Sequence, residues 1–146
     1  MLSDEITKIA AEFMKNYDKR IIVTASILAA ITIAFGAFGA HALKYVVSEN
    51  NIVTFETGVR YQMYHVLALF VLGFQDVITA KAKKWICIFF LAGIILFSGS
   101  IYLLALNQIL PFFDFKKLGF LTPIGGLLFI CGWLRLAYAA FSLKKR

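Results

Sequence analysis

The residues best suited to chemistry are two histidines, His41 and His65, and a set of neutral polar side chains: Tyr61, Gln62, Ser98, Ser100, Tyr102 and Thr122. Two imidazoles on neighbouring helices are the donor set of a bis-histidine haem or a copper site. A serine beside a histidine is the start of a nucleophilic triad. Neither set is complete. There is no CxxCH, no third histidine and no acidic residue in this cluster to finish a hard metal site, and Ser98 with His65 lacks the carboxylate that would orient the base. Cys87 and Cys131 stand singly in apolar runs and read as small hydrophobes. The expectation is a chain with no catalytic group, no metal and no cofactor, with His41 and His65 as the lesser metal-binding alternative.

The elements that must carry these residues are set by composition. Of 146 residues, 61% are hydrophobic and 16% charged. Soluble domains carry roughly 45–50% apolar and about 25% charged residues, so this chain reads as a membrane protein with lipids as its partners. A net charge of +7 would suit nucleic acid, yet the basic residues sit between and beyond the long apolar runs. There they act as topology signals and headgroup contacts, and nucleic acid is not expected as a partner.

Four apolar runs predict an all-α integral membrane four-helix bundle, with spans at about 21–43, 59–78, 85–106 and 119–141. The domain over 21–146 is preceded by a segment, 1–20, in which Ile6, Ile9, Ala10, Phe13 and Tyr17 recur at helical spacing behind a capping Ser3. That segment reads as a short amphipathic helix on the membrane surface. The acidic residues before the first run, and its length, make it a retained anchor rather than a signal peptide.

Lys and Arg counts orient the chain. Lys8, Lys15, Lys19, Arg20, Lys81, Lys83, Lys84, Lys144, Lys145 and Arg146 fall on one side, against Lys44, Arg60, Lys116 and Lys117 on the other. Both termini are therefore expected in the cytoplasm. This places His41, Tyr61, Gln62, His65, Ser98, Ser100, Tyr102 and Thr122 at one level, in the outer leaflet. On the second span, Gly58, Tyr61, Gln62, His65, Ala68, Leu69 and Leu72 share an inward side, opposite Met63, Val66, Leu67, Phe70, Val71 and Phe74. On the first span, Ala30, Ala34, Ala37 and His41 form one stripe, and Thr32, Gly36 and Ala40 a neighbouring one; either permits close helix approach. Ser98 and Tyr102 stack on the third, while Thr122, Gly126 and Trp133 share a side of the fourth. Arg135 reads as an inner-interface anchor, and Tyr45, Tyr61, Tyr64, Trp85 and Trp133 fit aromatic belts.

Four blocks, "FGAFGAHAL" at 35–43, "TGVRYQMYHVLAL" at 57–69, "FSGSIYLLAL" at 97–106 and "TPIGGLLFICGWLRLA" at 122–137, resemble the signature of the domain of unknown function 423 family. These are small bacterial inner-membrane proteins of the YwdK/YgdD type, with eukaryotic transmembrane protein 256 relatives. The resemblance covers about 20–141 and implies four transmembrane helices in a bacterial plasma membrane, without an agreed activity. The extension 1–19 departs from the family pattern. Residues and resemblance together predict a non-enzymatic binding or accessory subunit whose polar cluster holds a lipid headgroup, a small polar ligand or a partner helix. A haem or metal redox protein and an oligomeric channel or carrier are the alternatives.

Overall fold

A computed structural model describes residues 4–7, 17–110 and 114–143, and among them all regular structure is helical. Asp4–Thr7 forms one exposed helical turn. Ser3, Ile9, Ala10 and Phe13, which define the expected surface helix, lie outside the described residues, as does the basic end of the tail. Tyr17, expected in that surface helix, and Asp18 are not helical.

That helix, α1, spans Lys19–His41. Asp18 starts it: its Oδ1 accepts from the backbone N–H groups of Arg20 at 3.1 Å and Ile21 at 3.2 Å. The cap satisfies donors that the first turn leaves without carbonyl partners. A 3-10 turn, Leu43–Tyr45, leads to α2, Glu49–Phe74, where the Ser48 hydroxyl caps Asn51 N–H and Glu49 lies in the first turn. Thr79 caps α3 in the same way through Ala82 N–H. Helix α3 runs from Ala80 to Leu106, with a π-helical turn over Ile94–Ser98. After a 3-10 turn at Phe115–Leu118, α4 covers Leu121–Phe141.

Among the described residues, three segments are long and apolar enough to cross a membrane: Lys19–Tyr45, Ala80–Leu106 and Leu121–Phe141. Helix α2 has the length, 26 residues, but not the composition. Glu49, Asn50, Asn51, Glu56, Arg60, Gln62 and His65 fill its first two thirds. It begins ten residues before the apolar stretch read as 59–78 and ends at Phe74, so Val77 and Ile78 belong to the connection.

Helix α1 packs along α2, α4 packs along α3, and α2 joins the two pairs through the second half of α3. The registers follow from close contacts. Gly39 meets Phe55, Gly36 meets Val59 and Gly73 meets Ile22, so α1 and α2 are antiparallel. Gly93 meets Phe129, Gly125 meets Phe97 and Gly132 meets Phe90, which fixes α3 against α4. Two apolar cores result. The larger joins Ile21 and Ala25 of α1, Val66, Leu69 and Leu72 of α2, Ile86 and Phe90 of α3 and Phe129 of α4. The smaller holds Leu43, Phe55, Tyr102 and Ala105. Between them lies a waist of buried polar side chains.

Candidate functional site

Gln62 is the hub of the waist. Its Nε2 donates to Thr32 Oγ1 of α1 at 2.8 Å, and its Oε1 accepts from the Tyr102 hydroxyl of α3 at 2.9 Å. Thr32 donates its own hydrogen to Leu28 O at 2.6 Å. One amide thus bridges three helices, with Gln62 at 3%, Thr32 at 0% and Tyr102 at 8% exposure. A second link joins α3 to α4. The Ser100 hydroxyl donates to Phe97 O at 3.0 Å, so in the 2.7 Å contact between the two hydroxyls Thr122 is the donor.

His65 forms the third link. Its Nδ1 lies 2.7 Å from Tyr61 O, a pure acceptor, and its Nε2 lies 3.2 Å from Trp133 Nε1, a pure donor. The Nδ1–H tautomer satisfies both, an assignment that follows from what the partners can donate or accept. The ring stacks on Phe129, with centroids 3.4 Å apart and planes 7° from parallel. Trp133, read from the sequence as belt material, is therefore the partner of the buried histidine. Its helix-four arc with Thr122 and Gly126 was the available signal.

The polar residues do not all converge. His41 is exposed in the last turn of α1. Since Gly39 faces Phe55, His41 is level with Val53, 12 positions from His65 along α2, or about 18 Å at the helical rise. The two imidazoles are not at one depth and form no common site. Among the described residues, no group of three His, Cys, Asp or Glu side chains is placed to hold a metal. Tyr61 is 42% exposed rather than inward, and Val66, assigned to the lipid face, is 1% exposed in the larger core. The inward stripe of α1 is the one through Thr32 and Gly36, and Ala30, Ala34 and Ala37 face outward with His41.

Ser98 is fully buried, and its Oγ is without a hydrogen-bond partner. Ser98 closes the π turn, in which Ile94 O accepts from Gly99 N–H. Arg135 is half-buried, with its guanidinium 5.6 Å from the Tyr138 ring centre.

One part of this arrangement opens on the buried histidine. A groove of about 830 Å³ between α2 and α4 is floored by His65, Phe129 and Phe97 and rimmed by Tyr61, Tyr64, Gly126 and Trp133. Its walls are aromatic and aliphatic, and its polar edge is the set of tyrosines at its mouth.

Comparison with known proteins agrees with this membrane character. Residues 35–126 match the family described as "Protein of unknown function (DUF423)". A UPF0382 membrane protein of Staphylococcus aureus is 42% identical over 124 residues, covering 85% of this chain and 97% of the relative. The UPF0382 membrane protein YwdK of Bacillus subtilis is 37% identical over 127 residues, covering 84% and 96%. No solved structure matches.

Proposed function

Because the chain belongs to the DUF423 family of membrane proteins of unknown function, we propose that it is a multi-pass four-helix bundle of the bacterial inner membrane that binds a lipid chain as a non-enzymatic binding or accessory subunit. The observation that carries this reading is the α2–α4 groove. Apart from Ser98, the waist residues spend their hydrogen bonds on one another and on helix carbonyls, so a polar ligand would have to displace bonds already made. The groove offers apolar and aromatic surface, and its geometry suits a chain lying against the His65–Phe129 stack.

In the bilayer, α2 joins the three apolar helices as a span, with its first turns standing in the headgroup region. Lys19, Arg20, Lys81, Lys83 and Lys84 mark the cytoplasmic end, which puts both termini inside and the waist toward the outer leaflet.

Gly126 provides the test. A Cβ there meets only Phe97 ring atoms at 3.7 and 3.8 Å, an ordinary contact, so a larger side chain extends into the groove without parting the helices. Gly126→Leu is expected to fold as the wild type does and to lose most lipid retained after extraction in mild detergent, read by native mass spectrometry. An unchanged lipid complement in that variant would remove the groove as the binding site.

A further inference from the structure

Away from the waist and the groove, where α1 begins, α2 ends and α3 begins, lies a pocket of about 550 Å³ lined by Asp18, Lys19, Arg20, Asp76 and Lys83, among others. Lys83 is its unusual member. The residue is only 8% exposed, so its stem is buried, while its amine makes no hydrogen bond or ion pair with the described residues and opens to the pocket. An ammonium held by a buried stem in a recess gains from a compensating charge that enters it.

The two carboxylates of the pocket lower its net charge but make no hydrogen bond or ion pair with the amine. Asp18 Oδ1 is committed to the N–H groups of Arg20 and Ile21. Asp76 has an interaction of its own. Asp18 N–H also donates to Gly73 O at 2.7 Å, which ties the start of α1 to the end of α2 and closes one wall. Ala80, the first residue of α3, lines the pocket, so the positive end of that helix faces it. Lys19 and Arg20 are exposed and free to fold over the mouth. The depth is that of headgroups: the apolar runs of α1 and α3 begin at Ile21 and Trp85, and Trp85 is 45% exposed, as an interfacial tryptophan is.

We propose that this pocket binds a phosphate group, with the Lys83 ammonium as its floor and Lys19 and Arg20 closing over it. The phosphate is carried by a phospholipid headgroup or arrives as the free anion; the chemistry of the site is the same for both.

The test uses the full-length protein, stripped of lipid in a nonionic detergent. Native mass spectrometry then reads binding of phosphatidylglycerol and of diacylglycerol, which has the same chains and no phosphate. Thermal stability in inorganic phosphate is measured alongside. Wild type is expected to prefer phosphatidylglycerol over diacylglycerol, and Lys83→Gln to lower that binding about fivefold or more. Lys83→Arg should keep it. Lys44→Gln, an exposed lysine beside Tyr45 at the other end of α1, should leave it unchanged. Stabilisation by inorganic phosphate that is lost in Lys83→Gln, without preference between the two lipids, assigns the site to the free anion. Should Lys83→Gln not fold, the double variant of exposed residues Lys19→Gln and Arg20→Gln carries the same expectation of weaker phosphatidylglycerol binding. Equal binding of both lipids with no response to phosphate overturns the proposal. So does a loss in Lys44→Gln as large as that in Lys83→Gln.

Discussion

Replacing Gln62 by Leu probes what holds the waist together. The substitution preserves approximate volume and removes two interhelical hydrogen bonds, to Thr32 on α1 and from Tyr102 on α3. Such bonds between membrane helices are worth about 0.6–2 kcal/mol each. Thr32 keeps its bond to Leu28 O and is not orphaned. Tyr102 is: its hydroxyl hydrogen loses its acceptor in a site only 8% exposed, a further penalty of roughly 1–3 kcal/mol. Gln62→Leu should therefore cost about 2–7 kcal/mol, and Tyr102→Phe alone about 1–2 kcal/mol. Combining them should cost less than the sum, because the orphan created by the first is deleted by the second. The triple variant with Thr32→Val leaves no unpaired group and is expected within about 1 kcal/mol of wild type. Unfolding by SDS titration from dodecylmaltoside micelles, followed by far-UV circular dichroism, gives all four values. If Gln62→Leu falls within 0.5 kcal/mol of wild type, a limit of about the size ascribed to surface substitutions, the hydrogen bonds are not holding the helices. If the triple variant is less stable than Gln62→Leu, the orphan argument is wrong.

Two further outcomes follow from close contacts and missing ones. Gly125→Ala should destabilise by about 1–3 kcal/mol in the same titration, because the new methyl lands against Phe97 N and 2.8 Å from the Leu96 carbonyl carbon, atoms of helix backbone that no rotamer change can move; a variant as stable as wild type would show that the helices are not this close. Ser98→Ala should be neutral or stabilising by up to about 1 kcal/mol, since the hydroxyl it removes is buried without a partner; a loss above about 1 kcal/mol would mean that the hydroxyl is bonded in the folded protein.

How much of this was legible in the sequence depends on the kind of signal each residue offered. The burial of Gln62 and His65 was readable, because polar groups on the same arc as Gly58, Leu69 and Leu72 have an inward position to occupy. Tyr61 lies at the edge of that arc, where a few tens of degrees separate a packed side chain from an exposed one. On α1, two small-residue stripes were equally plausible. Lipid is as apolar as the protein core, so hydropathy alone does not choose between them. What chooses is Gln62, whose amide needs the acceptor that Thr32 supplies and the alanine stripe cannot. Depth reasoning placed His41 with His65 because it assigns residues to a half of the membrane. The register set by Gly39 and Gly36 resolves that half into turns and separates them. The π turn at Ile94–Ser98 shifts the phase of α3, which a fixed period of 3.6 cannot register, and it leaves Ser98 out of the network that Tyr102 joins.

The packing and the candidate site are the same structure seen from two sides. Without a hydrophobic force between helices in lipid, association depends on close approach and on hydrogen bonds across the interface. At Gly93 there is room for no side chain at all, because the Phe129 ring lies directly over its backbone. That contact sets the position of Phe129, and Phe129 in turn carries the stacked His65 ring. Trp133, one turn further along α4, then has its N–H in reach of His65 Nε2. The groove floor is thus held from α3, through a glycine that touches no ligand, and α2 contributes a histidine whose ring is fixed on both nitrogens and on one face. A ligand in the groove meets a surface that is already assembled. Binding there need not order side chains first, which favours retention of an apolar chain whose own contacts are individually weak.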